Sequence, residues 1–143
     1  MRAMLPNYTV YQELNATVFV CHGAVNVADN RVALLCYIAS PEFKSNYNVL
    51  IDLAGCSFPD SYFNDMLLLA YQLEPYYSAR DPDSRTAIYA PDDVSYGMSR
   101  IYQSVAESRA PFEIEVFRTI PAALTFVRID PTAPASQGLL RPG

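Results

Sequence analysis

The chain has 143 residues, of which 51% are hydrophobic and 17% charged, and it carries a formal net charge of −5. A chain of this length and polarity builds one domain around one core and is not disordered as a whole. Its acidic balance, with basic residues scattered singly, argues against a nucleic-acid surface, and no apolar run approaches the roughly 18 residues of a membrane span.

The start, MRAMLPNYTV, lacks the apolar core and small-residue cleavage site of a secretory signal, so a cytoplasmic location is expected. Residues 8–13 alternate, and residues 16–21 (ATVFVC) are β-branched and aromatic. Two strands joined as a hairpin follow from that pattern. Asn26 is a good cap for a helix whose face carries Val27, Arg31, Leu34, Leu35 and Ile38, and which ends before Ser40 and Pro41. Residues 48–53 (NVLIDL) form a continuous apolar run broken only by Asp52, the pattern of a strand covered on both faces.

Beyond it the segment IDLAGCSFPDS turns small and polar before Phe63, Met66, Leu67, Ala70, Leu73, Glu74 and Tyr77 recur at helical spacing, with Pro75 kinking or ending that helix. Residues 78–84 read as a polar loop and 85–90 (RTAIYA) as a buried strand. A helix follows with Val94, Met98, Ile101 and Val105 inward, and Gly97 is expected to admit a close neighbour. Residues 111–118 (PFEIEVFR) alternate strictly, as in an edge strand guarded by its glutamates. Thr119 and Pro121 open a last short helix, and the proline-rich tail from Asp130 has little to bury.

The expected order is β-β-α-β-α-β-α-β-α: an α/β domain over residues 1–129 with a mostly parallel five-stranded sheet and four helices, and a mobile tail over 130–143. In such folds ligands collect at the carboxyl ends of strands, which is where IDLAGCSFPDS falls. Gly55 can take positive φ, Pro59 fixes the helix entry, and Asp60 or Ser61 can cap its first amides or leave them to an anion.

The run VLIDLAGCSFPDS, followed by an apolar helix, resembles the strand and loop of the anti-sigma-factor antagonist (STAS) superfamily. The stretch RTAIYAPDDVSYGMSRIYQSVAES, followed by a strand ending VFR and a short Ala-Leu helix, is similar to bacterial STAS-like proteins of unassigned function. The resemblance covers residues 8–129. It implies a STAS-like fold and a regulatory protein-interaction role, with Asp52 at the strand aspartate and Asp60 and Ser61 at the loop Asp-Ser. Tyr62 stands where antagonists carry the phosphorylated serine, and Phe63 replaces the following glycine, so the usual acceptor is missing. Ser57 and Ser61 are the hydroxyls that can replace it. The expected working surface is therefore Asp52, Gly55, Cys56, Ser57, Asp60, Ser61 and Tyr62, acting on a protein partner, with the chain itself a homodimer.

Two other sites compete with that surface. Cys21, His22 and Cys56, with Asp52 or Asp60, can meet at one sheet edge as a cysteine nucleophile and its base, although neighbouring strand residues face opposite ways. Alternatively these ends hold a small apolar or lipid-like ligand, as in the architecturally similar CRAL-TRIO domains, with Cys21, His22, Tyr96 and Arg100 as contacts among eleven tyrosines. Arg80, Arg85 and Arg100 suit an acidic head group or, more simply, ion pairs with Asp81, Asp83, Asp92 and Asp93. Three cysteines without a CxxC pair predict reduced thiols and no structural zinc, and no glycine-rich or Walker loop predicts a nucleotide, so no cofactor is expected.

Overall fold

A computed structural model describes residues 7–58 and 62–140. Five strands, β1 (Asn7–Tyr11), β2 (Ala16–Ala24), β3 (Asn48–Ser57), β4 (Arg85–Tyr89) and β5 (Glu113–Phe117), form one sheet in the order β1-β2-β3-β4-β5. β1 runs antiparallel to β2, and the other neighbours are parallel. The sheet is thus mixed, which corrects the expectation of a mostly parallel one. The tight 3-10 connection Gln12–Leu14, ending at left-handed Asn15, leaves room only for a reversal of direction.

Helices α1 (Val27–Ala39), α2 (Tyr62–Gln72), α3 (Glu74–Ala79), α4 (Asp93–Arg109) and α5 (Ile120–Phe126) follow in order. They number five among the described residues, where four were expected. Pro75 has no amide hydrogen for the Tyr71 carbonyl, so the single predicted helix breaks at Leu73 and restarts as α3. From β2 to β5 each parallel strand is laid on the same side of its predecessor, so right-handed crossovers put α1 to α4 on one face. After β5 there is no further strand to reach, and α5 packs on the other face over Ala16, Leu50 and Ala87. The tail continues into a 3-10 segment, Pro134–Leu140, whose Ser136 Oγ donates to the Asp130 carbonyl at 2.7 Å and whose Leu139 packs against the α5 side.

The larger core is rich in aromatic rings. Tyr37 of α1 lies edge-on to Phe19 and Phe43 with centroids 5.4 and 5.0 Å away, and its hydroxyl accepts from Thr17 Oγ1 at 2.7 Å. Such pairs add about 0.5–1.5 kcal/mol each beyond the area they bury. The buried face of α1 is therefore Ala33, Leu34 and Tyr37, and Arg31 is exposed. α4 is turned similarly: Ser95, Ser99, Tyr102 and Ala106 face the core, while Val94 is exposed and Met98, Ile101 and Val105 lie at the margin. Gly97 borders open space rather than a neighbouring backbone.

Arg80, expected at the surface as an ion-pair partner, is instead 3% exposed. Its guanidinium donates to Tyr76 Oη at 3.0 Å, Ser84 Oγ at 3.1 Å, the Arg85 carbonyl at 3.0 Å and Thr86 Oγ1, and it stacks 4.0 Å over the Phe112 ring. The ion pairs among the described residues are Arg85–Glu113, Arg109–Glu74 and Arg118–Asp93, so the buried cation is balanced by neutral acceptors and a π face rather than by a carboxylate. Lysine keeps the charge but loses the planar fork. Arg80→Lys is expected to lower the unfolding free energy by about 2–3 kcal/mol in urea titrations, because the orphaned acceptors stay buried.

Burial pushes the phenols of Tyr37 and Tyr77 up to about 12. Being raised above the value near 10 of the unfolded chain, these groups contribute stability that is complete below pH 10 and is lost as the pH climbs toward 12. Burial holds the Tyr102 phenol well above the usual range too, so absorbance titration should show at least three late-ionising phenols whose titration coincides with loss of the near-ultraviolet dichroism. Ionisation of every tyrosine near pH 10 in a still-folded chain would contradict it.

Candidate functional site

β2 and β3 do not stop at Cys21 and Leu53, as the apolar runs suggest. Val20 pairs with Asp52 and His22 with Gly55, so three residues of β3 span the distance that two of β2 cover. This bulge bends the pair and lets the ladder resume as Gly23 with Cys56 and Ala24 with Ser57, closed by Val25 N–H to the Ser57 carbonyl at 2.9 Å. Gly55, Cys56 and Ser57 therefore belong to a strand, not to a loop. Gly23, with φ of 72°, uses the left-handed freedom of glycine, whereas Gly55 lacks the positive φ expected of it and a Cβ there would lie 3.0 Å from Nδ1 of the exposed His22 ring.

The extended strands meet the start of α1. Asn26 caps that helix by accepting from the Asp29 amide at 2.9 Å, and Asn30 reaches back to the Asn26 carbonyl at 2.8 Å. Between helix start and strand ends opens a cavity of about 280 Å³, onto which Cys21, His22, Cys56, Asn26, Asp29 and Asn30 all face. Simple alternation forbids Cys21 and His22 from sharing a pocket; the bulge lifts that restriction.

Inside, buried Cys21 donates to Asn30 Oδ1 at 3.8 Å, and the half-buried Cys56 thiol faces the same cavity. The neighbouring Cys56 thiol, followed by burial, pushes the Cys21 thiol far up, and the Cys21 thiol in turn holds Cys56 below the usual thiol range. Asp29 Oδ2 is buried without a partner among the described residues. Neither thiol bonds the imidazole, and no group of three or more His, Cys, Asp or Glu side chains suited to a metal occurs among those residues.

The remaining predicted residues separate. Asp52 points to the opposite sheet face, where its Oδ1 accepts from the Ala54 amide at 2.9 Å and it lines a second cavity of about 130 Å³ with Thr9, Tyr89 and Leu139. Ser57 is exposed on β3, and Tyr62 opens α2, while Pro59, Asp60 and Ser61 lie outside the described residues. Tyr96 packs under the Arg118 guanidinium at 4.3 Å, and Arg100 is exposed on α4, so neither joins the thiol cavity. Sequence reasoning missed Asp29 and Asn30 as site residues. Their signal was available, since Asn26 and Asn30 stand one turn apart on a helix that starts where β2 ends.

Removing the Cys21 thiol should raise the Cys56 pKa. In a Cys36→Ser background, Cys21→Ala is expected to slow Cys56 alkylation at neutral pH severalfold and to shift its rate profile to higher pH, because rate follows thiolate fraction. An unchanged profile would show that the neighbouring thiol does not act on Cys56. No helix among the described residues is long and apolar enough to cross a membrane. The chain matches no protein-family model and no curated protein.

Proposed function

We propose that the chain is a non-enzymatic regulatory module that works through protein contacts, with a STAS-like fold and without the usual phosphoacceptor serine. One observation carries this reading: Phe63, Leu68 and Tyr71 stand exposed on one side of α2, the helix entered from the candidate loop. Val94, likewise exposed, opens α4 at the same end of the sheet. Isolated surface apolar residues are ordinary, but Phe63, Leu68 and Tyr71 together along one side of α2 make a patch suited to a partner, from which Val94 stands apart because Tyr71 meets Arg109 at the far end of α4. Arg109 over the Tyr71 ring at 4.2 Å and the exposed Arg118–Asp93 pair supply a polar margin.

The runner-up is a small apolar ligand. It is favoured by a cavity of about 60 Å³ beneath α2 and α4, lined by Leu53, Met66, Leu69 and Tyr102, in which Ser99 Oγ is buried without a partner. That volume suits a short chain, not a lipid, since ligand pockets usually run to about 300 Å³ or more. The strand order also runs without reversal, so the crevice that a doubly wound sheet opens at a switch point has no counterpart here.

Native mass spectrometry separates the two readings. The interaction reading expects a homodimer without adduct and a monomeric but folded Phe63→Glu/Leu68→Glu variant, which also loses proteins that the parent captures from the source cell. A monomeric parent whose captured set is unchanged by the variant defeats it, and a retained small-molecule mass favours the ligand.

A further inference from the structure

The two thiols at the end of β2 and β3 are left unused by a module that works through its α2 face. Three features set them apart from ordinary core cysteines. They come from adjacent strands, they share one cavity of about 280 Å³, and they differ in access: Cys56 is half-buried while Cys21 is buried. Cys36, by contrast, is exposed on α1 and lines none of the cavities described above.

We propose that Cys56 and Cys21 are a reversible dithiol–disulfide pair, a modification site oxidised by hydroperoxides that enter the cavity. Cys56 is the attacking sulfur and Cys21 the resolving one. The Cys56 thiolate attacks one peroxide oxygen, the O–O bond breaks, and hydroxide or alkoxide leaves with the electron pair and takes up a proton, so Cys56 becomes a sulfenic acid. Cys21 sulfur then attacks the Cys56 sulfur, an S–S bond forms, the S–O bond breaks, and the oxygen departs as water carrying the Cys21 proton. In sum, two thiols and one hydroperoxide give a disulfide, a water and an alcohol, or two waters when the oxidant is hydrogen peroxide. A dithiol reductant reverses the change by exchange at the sulfurs.

The backbone supplies both the means and the reversibility. The residue facing Cys56 is Gly23, so Cys21 sits two positions upstream of direct alignment, and closing the bridge must slide the strand ends together. The bulge between Val20 and His22 is where the ladder is already interrupted, and Gly23, in a left-handed conformation with open space around it, is a second point of give. A bridge closed against such an offset is strained, and strained disulfides are the easily reduced ones. Asn30 holds Cys21 in place beforehand, and Cys56 carries the acidity of an early reactant. Because β3 leads into α2, the same slide acts on the helix that bears the exposed apolar face.

The test treats the reduced full chain with hydrogen peroxide, one equivalent at a time, in a Cys36→Ser background whose fold is checked by circular dichroism. Both remaining thiols should disappear together, the intact mass should fall by two hydrogens, and proteolysis should release the Cys21 and Cys56 peptides joined. Dithiothreitol should restore both thiols. Cys21→Ser should trap Cys56 as a dimedone-reactive sulfenic acid, and Cys56→Ser should leave Cys21 unoxidised under the same dose. The proposal is overturned if Cys56 in the parent gains oxygen without a linked peptide, or if it reacts with peroxide no faster than Cys36 does in the unsubstituted chain. These readouts do not depend on any partner, so they stand apart from the outcome at the α2 face.

Discussion

One buried cation organises the amino-terminal end of the sheet. Arg80 reaches from the end of α3 to the start of β4 through Ser84, Arg85 and Thr86, and it rests on Phe112 just before β5. A second tie runs beside it: Asn48 at the start of β3 accepts from the Arg85 amide at 2.8 Å and donates to the Val127 carbonyl at 2.9 Å. Together they pin the starts of β3, β4 and β5 to the helices on both faces. A charge removed from water and met only by neutral acceptors tolerates little displacement, since any lost hydrogen bond leaves both ends unsatisfied in a low-dielectric interior.

The break in strand pairing lies at the opposite end of the sheet. The strands enter the sheet in fixed register, run through a core dominated by Phe19, Val49, Leu50 and Ile88, and depart from ideal pairing only at the bulge past Val20. A left-handed Gly23 and an unpartnered Asp29 oxygen share that end with the two thiols, while the left-handed non-glycine residues Asn15 and Arg128 lie at the strand starts.

Hydrophobic periodicity misassigns two helix faces: α4 turns serines inward and α1 turns in a tyrosine. Ser95 satisfies its hydroxyl on the Asp92 carbonyl at 3.2 Å, and small side chains let α4 lie close against α2, so polarity alone misassigned the face. Tyr37 satisfies its own hydroxyl on Thr17, a residue twenty positions away that periodicity within the helix cannot see. Similarly, the stretch AGCS carries no strand signature of its own, yet it pairs as a strand because the end of β2 lies alongside it.

Local chemistry in the sequence determined the alternation of strands and helices, the cap at Asn26, the break at Pro75 and the edge character of β5, since each depends on residues within a few positions of one another. Tertiary structure alone decided the burial of Arg80, the bulge opposite Cys21, and the meeting of Cys21 with Cys56. Those facts depend on which distant backbones lie side by side, and a one-residue slip in strand register, invisible to composition or spacing, would send the same side chains to opposite faces of the sheet.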